Sequence, residues 1–172
     1  MCSQGSVTDR AFAHNQQHAV APDCAGSPRP GQRLTILTCM DTRLDPYKAL
    51  GLAAGDAHIL RNAGGIVTDD VLRCLVLSSH VLGTRELMVI NHTDCGLLNL
   101  AEDRLVDELE HATGRAAVSP AAFYGFSDLD ANVRRQVRRV RDHPWLGELR
   151  TRGFVYEVAA GKLREVDVEQ GG

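Results

Sequence analysis

The sequence contains no run of 18 apolar residues, so no helix built from it is expected to span a bilayer. It also lacks a surplus of positive charge. Nineteen basic side chains against 22 acidic ones leave a net charge of -3, which offers no general attraction to nucleic acid or to an anionic membrane. The opening residues, MCSQGSVTDRAF, lack the basic start and apolar stretch of a secretory leader, and a cytoplasmic location is the expectation. Neither GxGxxG nor GxxxxGK occurs, which excludes phosphate loops of those two kinds. Five cysteines, an odd number in a chain read as unsecreted, argue against a disulfide framework. Each cysteine is then a small buried hydrophobe, a metal ligand or a nucleophile.

What is present fits one globular domain. The chain has 172 residues, 44% of them apolar and 24% charged, enough to enclose a real core. Residues 1–32 are loose in composition, and Pro22, Gly26, Pro28, Pro30 and Gly31 crowd their end. They read as an arm with a short helix after Thr8, followed by a linker, or else as a disordered tail. Residues 33–168 form the expected domain. "RLTILT" is a strand ending at Cys39, and "RLDPYKALGL" a short helix with Pro46 in its first turn. "AHILRNAGG" is a second strand closed by a glycine pair. "DDVLRCLVLSSHVLGT" has apolar residues at helical spacing, and "ELMVIN" is a third, fully apolar strand. Two more helices follow, one from "CGLLNL" to Gly114 and one stopped by Pro144. A terminal hairpin turns near Gly161.

Strands alternating with helices predict an α/β fold: a mostly parallel central sheet flanked by helices, with a C-terminal antiparallel hairpin. In such sheets ligands bind beyond the carboxyl ends of the strands, where the strand order reverses. Cys39 follows the first strand, and His92 follows the third. Both therefore open into one crevice if those strands are neighbours.

Cys39, His92 and Cys95 offer two sulfurs and one nitrogen, a donor set that suits Zn2+. The HxxC spacing lets His92 and Cys95 turn toward one point as a strand becomes a helix. Cys95 at that helix N-terminus would have its thiolate favoured by the backbone dipole. Three protein donors leave a fourth corner. Asp41 has two choices: it closes that corner as a metal ligand, or it pairs with Arg43 and leaves room for water. A third reading makes Asp41 and Arg43 only a surface pair. Two thiolates cancel the charge of the zinc, which weakens its power to acidify water. Lowering that pKa from about 15.7 to about 7 is worth on the order of 12 kcal/mol, so a carboxylate that helps with the proton has a role.

The motifs Cys39-Met40-Asp41-Thr42-Arg43 and His92-Thr93-Asp94-Cys95, with the stretch Arg61 to Gly65, resemble those of the β-class carbonic anhydrases. The similarity runs from about Leu34 to Val166. By resemblance, Cys39, His92 and Cys95 hold zinc, Asp41 and Arg43 form the catalytic dyad, and Asn62, Gly64 and Gly65 line the substrate pocket. The resemblance implies carbon dioxide and bicarbonate as substrates, and a homodimer or homotetramer with the arm packed on a neighbouring subunit. The compact branch of the family also includes hydrolases of carbonyl sulfide and carbon disulfide with the same zinc ligands. A structural zinc protein with Asp41 as permanent fourth ligand is the reading of another class.

Other residues are assigned less. Gly64 and Gly65 allow close backbone approach to the metal, or simply make a turn. Phe123, Tyr124 and Phe126 read as core or subunit contact before they read as an apolar approach for substrate. Arg134, Arg135, Arg138, Arg139 and Arg141 give the last helix a solvated basic face. His58, His111 and His143 are structural or exposed unless one carries protons. Cys74 is expected in the core, and nothing is assigned to Cys2 or Cys24.

Overall fold

The computed structural model describes residues 6–17, 27–116, 119–120 and 122–169. The sequence readings on Cys2, Pro22, Cys24 and Gly26 lie outside the described residues. Five strands form one sheet in the order β2-β1-β3-β4-β5, where β1 is Leu34–Cys39, β2 Ala57–Asn62, β3 Glu86–His92, β4 Arg150–Glu157 and β5 Lys162–Val166. The first four are parallel, and β5 returns antiparallel to β4, as the sequence pattern predicts.

The strand order decides where a site can form. From β1 the chain steps outward to β2, then crosses back to place β3 on the other side of β1. The order therefore reverses at the carboxyl end of β1, and a crevice opens there. In register, Cys39 lies beside Asn62, and Thr38 lies beside Ile90, two residues before His92.

Period-two alternation sends neighbouring side chains of β1 to opposite faces. Leu37 joins Leu87, Val89 and Val155 under α3 (Asp69–His80) and α5 (Leu129–Arg141). Ile36 joins Ile90 and Phe154 on the other face, against Leu50 and Leu52 at the end of α2 (Pro46–Leu50). Val133, Val137 and Val140 of α5 are fully buried, and each such side chain contributes about 1.5–3 kcal/mol. Helix α5 can lie this close because β4 carries Gly153 below it: a Cβ there would stand 2.4 Å from the Val133 Cγ1 atom.

Caps fix where the helices begin. The carboxylate of Asp45 accepts from the amides of Tyr47 and Lys48 at the start of α2. At the start of α3 the Thr68 hydroxyl accepts from the Val71 amide, and at the start of α5 the Asp128 carboxylate accepts from that of Ala131. Helix α1 (Val7–Gln17) starts two residues earlier than expected. Ser6 and Asp9 make a reciprocal capping box, each backbone N–H bonded to the other's side chain.

Three expectations need correction. The helix expected to start at Cys95 is α4, Glu102–Thr113. Residues 95–101 are turns, with Asn99 at φ +60°, so Cys95 does not sit on a helix N-terminus. Cys74 is only half-buried, beside Arg73 and Asp70, because its position on α3 faces the edge of the core and not its centre. The arginines of α5 do more than meet solvent. Arg134 donates to the Asp167 carbonyl and Arg138 to that of Val168, while Arg141 pairs with Glu169, and together they strap down the C-terminal segment.

Candidate metal centre

Two strand ends and one turn build the site. Cys39 is the last residue of β1, His92 the last of β3, and Cys95 follows in the first turn after β3. All three are buried, His92 fully. Their donor atoms, two sulfurs and one ring nitrogen, lie within 4.8 Å of one another. The backbone beyond β3 stays in register with β4: the Thr93 N–H donates to the Tyr156 carbonyl at 3.0 Å, and the Thr93 hydroxyl accepts from the Val158 amide. The turn at Cys95 is pinned from the other side. Asn99 N–H donates to the Phe126 carbonyl at 2.7 Å, and Phe126 N–H donates to that of Leu97. Phe126 is thus part of the site's wall, packed with Leu44, Cys39 and Cys95, whereas Tyr124 is exposed.

The residues fit a metal ion. His92 Nδ1 donates to the Thr93 carbonyl at 2.9 Å, which fixes the neutral tautomer with its free lone pair on Nε2. Among the described residues, that Nε2 is the one buried side-chain nitrogen or oxygen without a hydrogen-bond partner. A buried polar atom left so costs about 1–3 kcal/mol, and a cation between it and two sulfurs removes the cost. The thiols are already differentiated. The Cys95 thiol beside it holds Cys39 down to about 4, helped by the Gly64 amide, so Cys39 is a thiolate at neutral pH. Cys95 is pushed well up, by the same Cys39 sulfur and by burial.

Gly64 serves the sulfur directly, while Gly65 packs close against the backbone of Thr38 and Cys39. In the 3-10 turn after β2 (Ala63–Gly65), Gly64 takes φ +78° and donates its N–H to Cys39 Sγ at 3.3 Å. A Cβ on Gly64 would meet Leu97 Cδ1 at 2.5 Å. Asn62, expected in the pocket, has both polar atoms of its side chain bonded to Ile66: its Nδ2 donates to the carbonyl, and its Oδ1 accepts from the amide. It shapes the glycine turn.

Asp41 and Arg43 stand at the mouth. Asp41 Oδ2 accepts from Arg43 Nη2 at 2.7 Å, and Oδ1 accepts from Arg43 Nε at 3.0 Å. This two-pronged pair holds the Asp41 carboxyl well below the usual carboxylate range and raises Arg43 further. The structure therefore has Asp41 in its Arg43-paired arrangement. Its Oδ2 lies 3.9 Å from His92 Nε2, beside the three donors and outside their cluster.

The sequence reading missed a layer of support. Arg61 donates Nε to the Cys39 carbonyl and Nη2 to that of Asp41, bracing the backbone of the first motif. Behind it runs a closed ring of buried amides. Asn91 donates to the Gly64 carbonyl and accepts from Asn132. Asn132 accepts from Gln136, whose own oxygen takes the Val67 N–H on the same loop. Polar residues at core positions of α5, "ANVRRQ", were the available signal. His58 bonds Ser78 and the Pro28 carbonyl at the far end of β2 and takes no part in the site.

A family model described as carbonic anhydrase matches residues 34–163. β-Carbonic anhydrase 1 of Mycobacterium tuberculosis is 40% identical over 163 residues, covering 94% of this chain and 98% of its own. The chain belongs to the β-class carbonic anhydrase family. A crystal structure of the carbonic anhydrase from Streptococcus mutans superposes with a TM-score of 0.85 at 39% identity, covering 95% of this chain and 99% of that one. The family also reaches the carbon disulfide hydrolase of Acidithiobacillus thiooxidans, 35% identical over 77% of this chain and 76% of that protein. The five-stranded sheet and the Cys-His-Cys cluster of this β-class member accord with those likenesses.

Proposed function

We propose that the protein is a zinc-dependent lyase that interconverts carbon dioxide and bicarbonate, with Cys39, His92 and Cys95 as metal ligands and Asp41 and Arg43 as the catalytic pair. The observation that carries this is the unpartnered, buried Nε2 of His92 between two sulfurs, with the Asp41 carboxylate 3.9 Å away. Zinc bound by these three residues would supply a Lewis acid that brings the pKa of water from about 15.7 toward about 7. The chain supplies the rest. Asp41 Oδ2 orients the attacking water and takes up or relays its proton, so that water and carbon dioxide give bicarbonate and a proton passed on to solvent. Arg43 keeps Asp41 ionised and away from the ligand set, which favours an open fourth corner over a permanently closed structural site. Gly64, Gly65 and Asn62 hold the sulfur and the pocket wall in place.

Hydrolysis of carbon disulfide or carbonyl sulfide is the second reading, favoured by relatives named carbon disulfide hydrolase. The carbonic anhydrase relative, more similar and matched over more of the chain, supports the first. Stopped-flow hydration of carbon dioxide on metal-quantified protein, run beside sulfide release from both sulfur gases, separates them. Hydration is expected to dominate and to be lost in Cys39→Ser; sulfide release without hydration would overturn the assignment.

A cytoplasmic homodimer or homotetramer belongs to the same proposal. Helix α1 buries none of its residues within one chain, and Val7 and Phe12 are exposed there. No helix among the described residues is long and apolar enough to cross a membrane.

A further inference from the structure

Arg43 does not hold Asp41 alone; it is itself held. Its guanidinium lies between two loops, the one after β1 that carries Asp41 and the one after β3 that carries Asp94. One edge, Nε and Nη2, grips the Asp41 carboxylate. The other side is taken by Asp94 twice: Nη1 donates to Oδ2 at 2.6 Å, and Nη2 donates to the Asp94 main-chain carbonyl at 2.9 Å.

The backbone at Asp94 is what allows the second contact. Asp94 takes φ +56°, the left-handed region that aspartate and asparagine tolerate better than other side chains with a Cβ. That turn accompanies a carbonyl aimed at Arg43 while the next residue, Cys95, is buried among the donors. The Asp94 side chain is 81% exposed, so its cost of ordering is not repaid by burial, and an isolated surface ion pair is worth little. A residue with strained backbone and an exposed carboxylate, bonded at two points to one arginine, has a geometric task.

The geometry points to Asp94 as a positioning residue that fixes the Arg43 guanidinium from behind, so that Arg43 presents its Nε and Nη2 edge to Asp41 and keeps that carboxylate beside the metal donors. This rests on the proposed role of Asp41 and Arg43. Without Asp94, Arg43 is a long, half-exposed side chain free to swing outward, and Asp41 loses the partner that holds it 3.9 Å from His92 Nε2. The effect should resemble loss of an outer partner at a metal site, roughly 10–100-fold in activity.

Two variants that tolerate the left-handed backbone keep the test interpretable. Asp94→Gly removes the carboxylate and retains the carbonyl; Asp94→Asn retains one acceptor oxygen. In the zinc-loaded full chain, Asp94→Gly is expected to lower kcat about 10-fold with KM within about twofold and zinc content unchanged, and Asn to recover part of the loss. In an Asp41→Asn background the Asp94→Gly change should cost nothing more, since it acts through Asp41. A second readout needs no turnover. The 15N–1H resonance of Arg43 Nε, protected by Asp41, should lose that protection in Asp94→Gly. Wild-type kcat in Asp94→Gly, full additivity with Asp41→Asn, or an unchanged Arg43 Nε resonance would each overturn the assignment. If the wild-type chain hydrates no carbon dioxide while the Arg43 resonance still responds, the functional reading fails and the clamp stands.

Discussion

His92 Nε2 and Asp41 Oδ2 lie 3.9 Å apart, a ring nitrogen with a free lone pair facing a carboxylate that Arg43 has already claimed. The nitrogen is directed at a cation and the carboxylate at what that cation holds. The two roles separate by mutation. Arg43→Leu should retain zinc at one per chain and lose roughly 10–100-fold in kcat, because the outer partner of Asp41 is gone. Elemental analysis and stopped-flow hydration on the same sample check both halves. Loss of zinc in this variant would mean that Arg43 shapes the ligands themselves.

The glycine turn predicts a sharper penalty. Gly64→Ala combines φ +78° with a Cβ only 2.5 Å from Leu97, and it disturbs the N–H bonded to Cys39 Sγ. A strained backbone of this kind costs about 1–3 kcal/mol. Chemical denaturation should show that destabilisation, and competition with a chelator should show weaker zinc binding. Unchanged values in both would remove Gly64 from the support of the sulfur.

The buried amide ring makes a separate prediction about stability. Gln136→Leu strands the Val67 N–H and removes one of the two donors to the Asn132 oxygen, which keeps Arg135. It should cost about 1–3 kcal/mol in a urea melt, as expected for buried groups left unpaired. The Leu75→Ala change in the core between α3 and the sheet should cost about 2–5 kcal/mol. It should leave the zinc stoichiometry alone, since it is remote from the ligands.

Metal binding should release protons in an uneven way. The sign follows from the two thiols. Cys39 is held down to about 4, is already a thiolate at pH 7 and releases nothing. Cys95 is pushed up above the ordinary thiol range and carries its proton until the metal displaces it. Zinc affinity should therefore rise with pH through neutrality, with about one proton from the sulfurs released per ion at pH 7. Calorimetry in two buffers of different ionisation enthalpy counts the protons. Two from the sulfurs would mean that neither thiol is preionised.

The strands were legible because β1 and β3 are short apolar runs with abrupt ends, and parallel strands between helices must be buried on both faces. Their shared crevice followed from strand order alone. The motifs placed Cys39, His92, Cys95, Asp41 and Arg43 together because each lies within four residues of a strand end. What stayed hidden depended on tertiary placement. Asn132 and Gln136 look like ordinary polar residues of a basic helix until α5 settles over Gly153 and brings them to Asn91. Cys95 was read onto a helix that begins seven residues later, because "CGLLNL" has helix-forming residues while Gly96 and Asn99 turn the chain. The bonds of Asn62 to Ile66 close the glycine turn across four residues, a contact that the spacing of the motif does not reveal.

The most direct test is anomalous X-ray scattering at the zinc edge from crystals of the zinc-loaded protein. A single peak per chain is expected between Cys39 Sγ, Cys95 Sγ and His92 Nε2, at roughly 2.0–2.3 Å from each, with Asp41 still paired to Arg43. A peak bound elsewhere, or no peak in crystals of protein that hydrates carbon dioxide at full rate, would contradict the account.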